Sequence, residues 1–129
     1  MTKLTLRIGD TNPVWCSDIE VVTSISAGTV RALQLSDFTE AWHTIKTAPT
    51  DLDADRITWL KYTANELTFS AASGSIGARF DGELPASLFL SYEPGQILYY
   101  DWQILVSGKP KTIGSGIYAL ALHVTHATS

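Results

Sequence analysis

Apolar and polar side chains alternate along most of the chain, most regularly toward its C-terminal end. After Gly95, Leu98, Tyr100, Trp102, Ile104 and Val106 fall on one face, and further on Tyr118, Leu120, Leu122 and Val124 do the same. Strict period-two alternation over this length predicts half-buried strands, because successive side chains of a strand point to opposite sides. Gly108-Lys109-Pro110-Lys111 lies between them and carries the Gly and Pro of a hairpin connection, which predicts that the two strands pair antiparallel.

The same alternation recurs upstream in shorter runs. Leu4, Leu6 and Ile8 predict a first strand, which Gly9-Asp10-Thr11-Asn12-Pro13 ends. Residues 19–25, rich in β-branched side chains, and residues 29–35 flank Ser26-Ala27-Gly28 and predict a hairpin or one bent strand pair. Ser36 to Glu40 has the flavour of a helix-capping box, but Glu40 stands one position too late, and residues 41–47 suit a strand. Pro49 and three aspartates mark residues 48–56 as a surface loop. Runs at 57–63, 66–72 and 75–84 follow, and such short runs at roughly 8–12-residue spacing are the mark of an antiparallel sandwich or barrel.

Composition narrows this further. The 129 residues suffice for one domain with its own core, 1–129, and at 45% hydrophobic and 17% charged residues the chain is too apolar to be disordered. A net charge of −4 argues against a phosphate-tracking surface, so nucleic acid is not an expected partner. The single cysteine, Cys16, excludes an internal disulfide framework. The N-terminus alternates where a secretion signal has an apolar run, and no window nears the roughly 18 apolar residues of a spanning helix; a soluble protein with no signal peptide and no membrane partner is expected.

Few residues suggest chemistry. Asp51, Asp53 and Asp55 open like a calcium loop, but Arg56 stands where the loop needs Gly, and Tyr62 where it needs a bidentate Glu. His123 and His126 point to opposite faces of an extended strand, and His43 reads as a surface or satisfied interior imidazole, so no metal site is expected. Gly114-Ser115-Gly116 lacks the spacing of a nucleophile elbow and reads as the flexible start of the last strand, and no Gly-rich phosphate cradle is present. Neither an enzyme nor a cofactor is expected. Trp15, Trp42 and Trp59 are candidate stacking surfaces for a carbohydrate, whereas Trp102 shares its face with core residues. Tyr99, Leu105, Ile117 and Ala119 lie on the opposite face of the C-terminal strand pair, and such an apolar second face predicts an interface.

The segment from Glu66 to Thr125 resembles the immunoglobulin-like domains of tailed-phage tail and baseplate proteins, notably the N-terminal domain of the upper baseplate protein. The matching positions are Gly95, Tyr99, Tyr100-Asp101, Gly108, Gly116 and Val124-Thr125, with a long insertion from Asp10 to Ile57 after the opening strand. The resemblance implies an immunoglobulin-like antiparallel β-sandwich and a structural role in a virion tail, neck or baseplate. It also implies assembly in the host cytoplasm, with further copies of the chain and other virion proteins as partners. The alternative is a β-sandwich module that binds carbohydrate or protein.

Overall fold

The computed structural model describes residues 2–48 and 56–122, and among these there is no α-helix. The described residues form ten strands: β1 Thr2–Ile8, β2 Asn12–Cys16, β3 Glu20–Ser24, β4 Thr29–Ala32, β5 Glu40–Lys46, β6 Thr58–Lys61, β7 Leu67–Ser70, β8 Arg79–Leu84, β9 Ile97–Val106 and β10 Lys109–Leu122. They make a five-stranded sheet in the order β1-β10-β9-β5-β6, a three-stranded sheet β2-β8-β7 and the two-stranded hairpin β3-β4. The chain is thus all-β, with several antiparallel sheets curled into a half-barrel. One pairing departs from the antiparallel expectation: β1 lies parallel to β10. A parallel pair needs a long crossover, here the whole chain between the two strands.

The β9–β10 hairpin forms as its alternation predicts, but its turn is tighter than the sequence suggests. Ser107 (φ 52°) and Gly108 (φ 77°) both lie in the left-handed region, as a two-residue type I′ turn demands, and Lys109-Pro110-Lys111 already belong to β10. Pro110 is tolerated because β10 has only β9 beside it there; β1 pairs with β10 only from Gly116 onward. Gly114-Ser115-Gly116 is likewise not a strand start. It lies inside β10, where the register with β9 shifts between Thr112 and Gly114. On the inner face Leu98, Trp102, Ile104, Tyr118 and Leu120 are buried, while Leu122, expected among them, is exposed.

The inner face of the five-stranded sheet meets Val14, Phe80, Leu84 and Leu67 of the three-stranded sheet in one core. The rings of Phe80 and Trp102 stack across the gap, with centroids 6.4 Å apart and planes at 19°. Phe38 packs edge-on against Phe80, Phe69 and Tyr62 at 5.1–5.3 Å. Gly82 is part of this fit: a Cβ there would sit 2.7 Å from Leu67 Cδ2 and 3.0 Å from Leu60 Cδ1.

Three local readings change. The strand expected over 75–84 starts only at Arg79, and Ile76 is exposed in a turn closed by the Ser73–Ile76 bridge. A capping box does exist, two residues earlier than the one sought at Ser36: Gln34 and Asp37 frame a 3-10 turn at Leu35–Asp37. Residues 10–57, an insertion by sequence, supply β2 to β5, with β5 at the interior of the large sheet.

Replacing Phe80 by Ala removes a fully buried ring that touches both sheets, so stability to urea should fall by about 3–5 kcal/mol. Phe80→Leu should lose clearly less. Equal losses would mean that the ring's shape and its contacts with Trp102 and Phe38, and not the buried volume, set the cost.

Candidate functional site

The outer face of the five-stranded sheet carries the four residues expected at an interface. Tyr99 pairs directly with Ile117 across β9–β10, Ala119 lies between Ile97 and Thr5, and Leu105 lies between Glu40 and Pro110. All four are half-buried. Tyr99 and Ile117 are therefore cross-strand neighbours, Ala119 is two residues from Ile117, and Leu105 is six residues from Tyr99 toward the hairpin turn. Tyr99 also borders a hollow of about 180 Å³ with Thr44, Lys46 and Asp101.

The three candidate stacking tryptophans separate. Trp15 faces outward on β2 and is 45% exposed. Trp42 is half-buried on β5, paired with Gln103 and Lys61. Trp59 pairs with Thr44 through its backbone; its side chain lies outside the described residues. Asp51, Asp53, Asp55, His123, His126 and Val124-Thr125 also lie outside them. Among the described residues no group of three or more His, Cys, Asp or Glu side chains is placed to hold a metal.

Two larger concavities flank the sheets. A groove of about 610 Å³ runs between the β3–β4 hairpin and the turn end of β9–β10, with Val21, Ile104, Val106 and Ile113 on its walls. At its rim Arg31 donates two hydrogen bonds of 2.7 Å to the Asp37 carboxylate, which also accepts one from the Gln34 N–H. The Arg31 guanidinium, with that backbone bond, holds the Asp37 carboxyl down to about 2, so the clasp stays charged under all mild conditions. Val22 and Val30, a directly opposed cross-strand pair, are 63% and 49% exposed, and Ile25 at the hairpin tip is 93% exposed. Sequence reading missed this apolar surface. The signal was the adjacent Val21-Val22: neighbours on a strand face opposite ways, so one must leave the core.

The second concavity is a notch of about 270 Å³ lined by Trp15, Cys16, Ser17, Tyr100, Trp102 and Ser115 with Leu4 and Gly114. It exists because β1 does not reach this part of β10. β2 lies there instead, with Cys16 Sγ 3.9 Å from the Ile113 carbonyl. Burial pushes the Cys16 thiol up to about 11, which leaves it protonated and a poor nucleophile at neutral pH.

Behind the notch His43 is fully buried, flanked by Trp102 at 4.6 Å and sharing a 2.7 Å hydrogen bond between its Nε2 and the Tyr118 hydroxyl. Its Nδ1 has no hydrogen-bond partner among the described residues. Burial lowers its pKa to about 3, because an imidazolium enclosed by Tyr100, Trp102 and Tyr118 loses the solvation that water gives it. Glu40, also buried, is held the other way. Burial disfavours its charge, but hydrogen bonds from the Thr63 hydroxyl, the Thr63 N–H and the Ala41 N–H outweigh it and keep the carboxyl below its ordinary range.

No protein-family model and no curated protein matches the chain.

The unfolded imidazole of His43 titrates near 6.5 and the folded one near 3, so between these values the unfolded chain binds more protons. This contribution is complete above about pH 6.5 and is lost as the pH falls, with a slope approaching about 1.4 kcal/mol per pH unit. Urea midpoints measured from pH 7 to pH 4 should therefore decline less steeply in His43→Gln than in the parent chain. Parallel declines would place the acid sensitivity elsewhere.

Proposed function

We propose that the protein is a structural module that joins copies of itself and neighbouring proteins into a larger assembly. The observation that carries this reading is the exposed apolar hairpin: Val22 and Val30 stand directly opposed on β3–β4, and Ile25 at its tip is almost wholly exposed. Large apolar side chains left exposed together on one hairpin are a common mark of a protein–protein interface. The half-buried Tyr99–Ile117 pair on the outer sheet face offers a second contact area, and repeated copies around an axis are the usual way in which such faces are covered.

The fold reading that accompanies it is a β-sandwich of immunoglobulin type, supported by the two inner faces that meet at Phe80 and Trp102. The resemblance of Glu66–Thr125 to immunoglobulin-like domains of phage tails and baseplates favours a virion tail, neck or baseplate, assembled in the host cytoplasm, as the larger structure.

Light scattering on the purified protein, with electron microscopy of the largest species, tests the reading. Oligomers or rings should grow with concentration, and Val22→Asp with Ile25→Asp should shift them to monomer without loss of the folded spectrum. A strict monomer at all concentrations that also binds no virion protein overturns it.

A further inference from the structure

The five-stranded sheet ends in β1 on one side and β6 on the other, and an edge strand presents N–H and C=O groups along which another chain can add. On each of these edges one outward position is already filled. We propose that Asn12 and Glu66 are edge closures, which keep this sheet from gaining a strand of a second copy. The inference stands apart from the assembly reading, whose contact is the β3–β4 hairpin.

At β1 the Arg7 N–H donates to Asn12 Oδ1 at 2.9 Å, and Asn12 Nδ2 donates to the Arg7 carbonyl at 3.0 Å. The carboxamide thus offers an acceptor and a donor side by side, the pair that a residue of an adjacent strand would offer. An N–H spent on Asn12 is turned away from β10, so Arg7 is an outward position of the edge, and by alternation Lys3 and Thr5 turn their backbone groups the same way. Asn12 is only 6% exposed, and a third bond, from Nδ2 to the Asp10 carbonyl at 3.1 Å, holds its carboxamide in place.

At β6 the Tyr62 N–H donates to the Ala41 carbonyl of β5 at 2.9 Å, so the preceding residue, Lys61, turns its backbone outward. The Lys61 N–H donates to Glu66 Oε1 at 3.1 Å, and the Glu66 N–H donates to the Lys61 carbonyl at 3.1 Å. One partner is here a side chain and the other main chain, but the same two groups of the edge residue are taken. Within β6 this leaves Trp59 as the other outward backbone position.

The two closures share one build. Each partner stands five residues after the edge residue, across a turn with a left-handed residue, Gly9 (φ 90°) or Asn65 (φ 62°). Each turn is also where the chain leaves the five-stranded sheet for the three-stranded one, from β1 to β2 and from β6 to β7. To pair with Arg7 or Lys61 an added strand must break two hydrogen bonds for the two it makes, so the exchange returns little. What stays open, Lys3 and Thr5 on β1 and Trp59 on β6, is short for a strand pair.

Sedimentation velocity in a Val22→Asp, Ile25→Asp background tests this, because contacts through the hairpin then do not enter. Glu66 is exposed; Glu66→Ala removes only the side-chain acceptor, and Glu66→Gln keeps an oxygen in its place. Glu66→Ala should associate at concentrations roughly tenfold lower than its background, the worth of one or two main-chain hydrogen bonds, with an infrared band of intermolecular β-sheet growing in step. Glu66→Gln should behave as the background does. Asn12→Ala should open β1 in the same way, and should it not fold, Glu66→Ala decides. Hydrogen exchange gives a second readout: the Lys61 amide should exchange slowly although it lies on an edge, and should lose that protection in monomeric Glu66→Ala. A folded Glu66→Ala that associates no more than its background overturns the proposal, as does a Glu66→Gln that associates equally well.

Discussion

The stacking of Phe80 on Trp102 is the contact on which the other features depend. Each inner sheet face is apolar, and a three-stranded sheet as short as β2-β8-β7 has little stability unless that face is covered. The two rings supply the cover and fix how the sheets approach. From Phe80 the aromatic contacts run to Phe38, Tyr62 and Phe69; from Trp102 they run to His43 and on to Tyr118 and Tyr100. Strands far apart in the chain are thereby held in one rigid cluster, and the imidazole of His43 is sealed from water as a by-product.

Both large concavities arise from unequal strand lengths. β10 is 14 residues long and β1 only seven, so the turn half of β10 extends past its parallel neighbour. On one side β2 packs in the vacated place and leaves the notch between Trp15, Trp102 and Ser115. Beyond it, the overhanging hairpin end faces β3–β4 and leaves the groove lined by Val21, Ile104 and Val106. The Arg31–Asp37 clasp fixes the 3-10 turn beside β4, so that wall of the groove is held by charge-assisted bonds where apolar packing is thin.

The surface is unevenly divided between these uses. The hairpin β3–β4 carries exposed valines and an exposed isoleucine, which suit contact with another protein. The notch at Trp15 is smaller and is lined by uncharged side chains with Cys16 among them.

The alternation of Leu98, Tyr100, Trp102 and Ile104 with Tyr99, Asp101, Gln103 and Leu105 was enough by itself to determine that β9 is a strand, which face is core, and that β10 returns beside it. Period-two burial is a local property, legible wherever one face is wet and the other dry. The exposed Val22 was partly legible too, because Val21 and Val22 are neighbours and only one of them can turn inward. What the tertiary structure alone decided is which strands meet. That β1 runs parallel to β10, that β5 lies between β9 and β6, that Leu122 is left outside the core, and that Trp15, Ser17, Tyr100, Trp102 and Ser115 come to one notch all depend on contacts between residues far apart in the chain. Such contacts leave no periodicity in the sequence. They are selected by the fit of whole sheet faces, of which Phe80 on Trp102 is the centre.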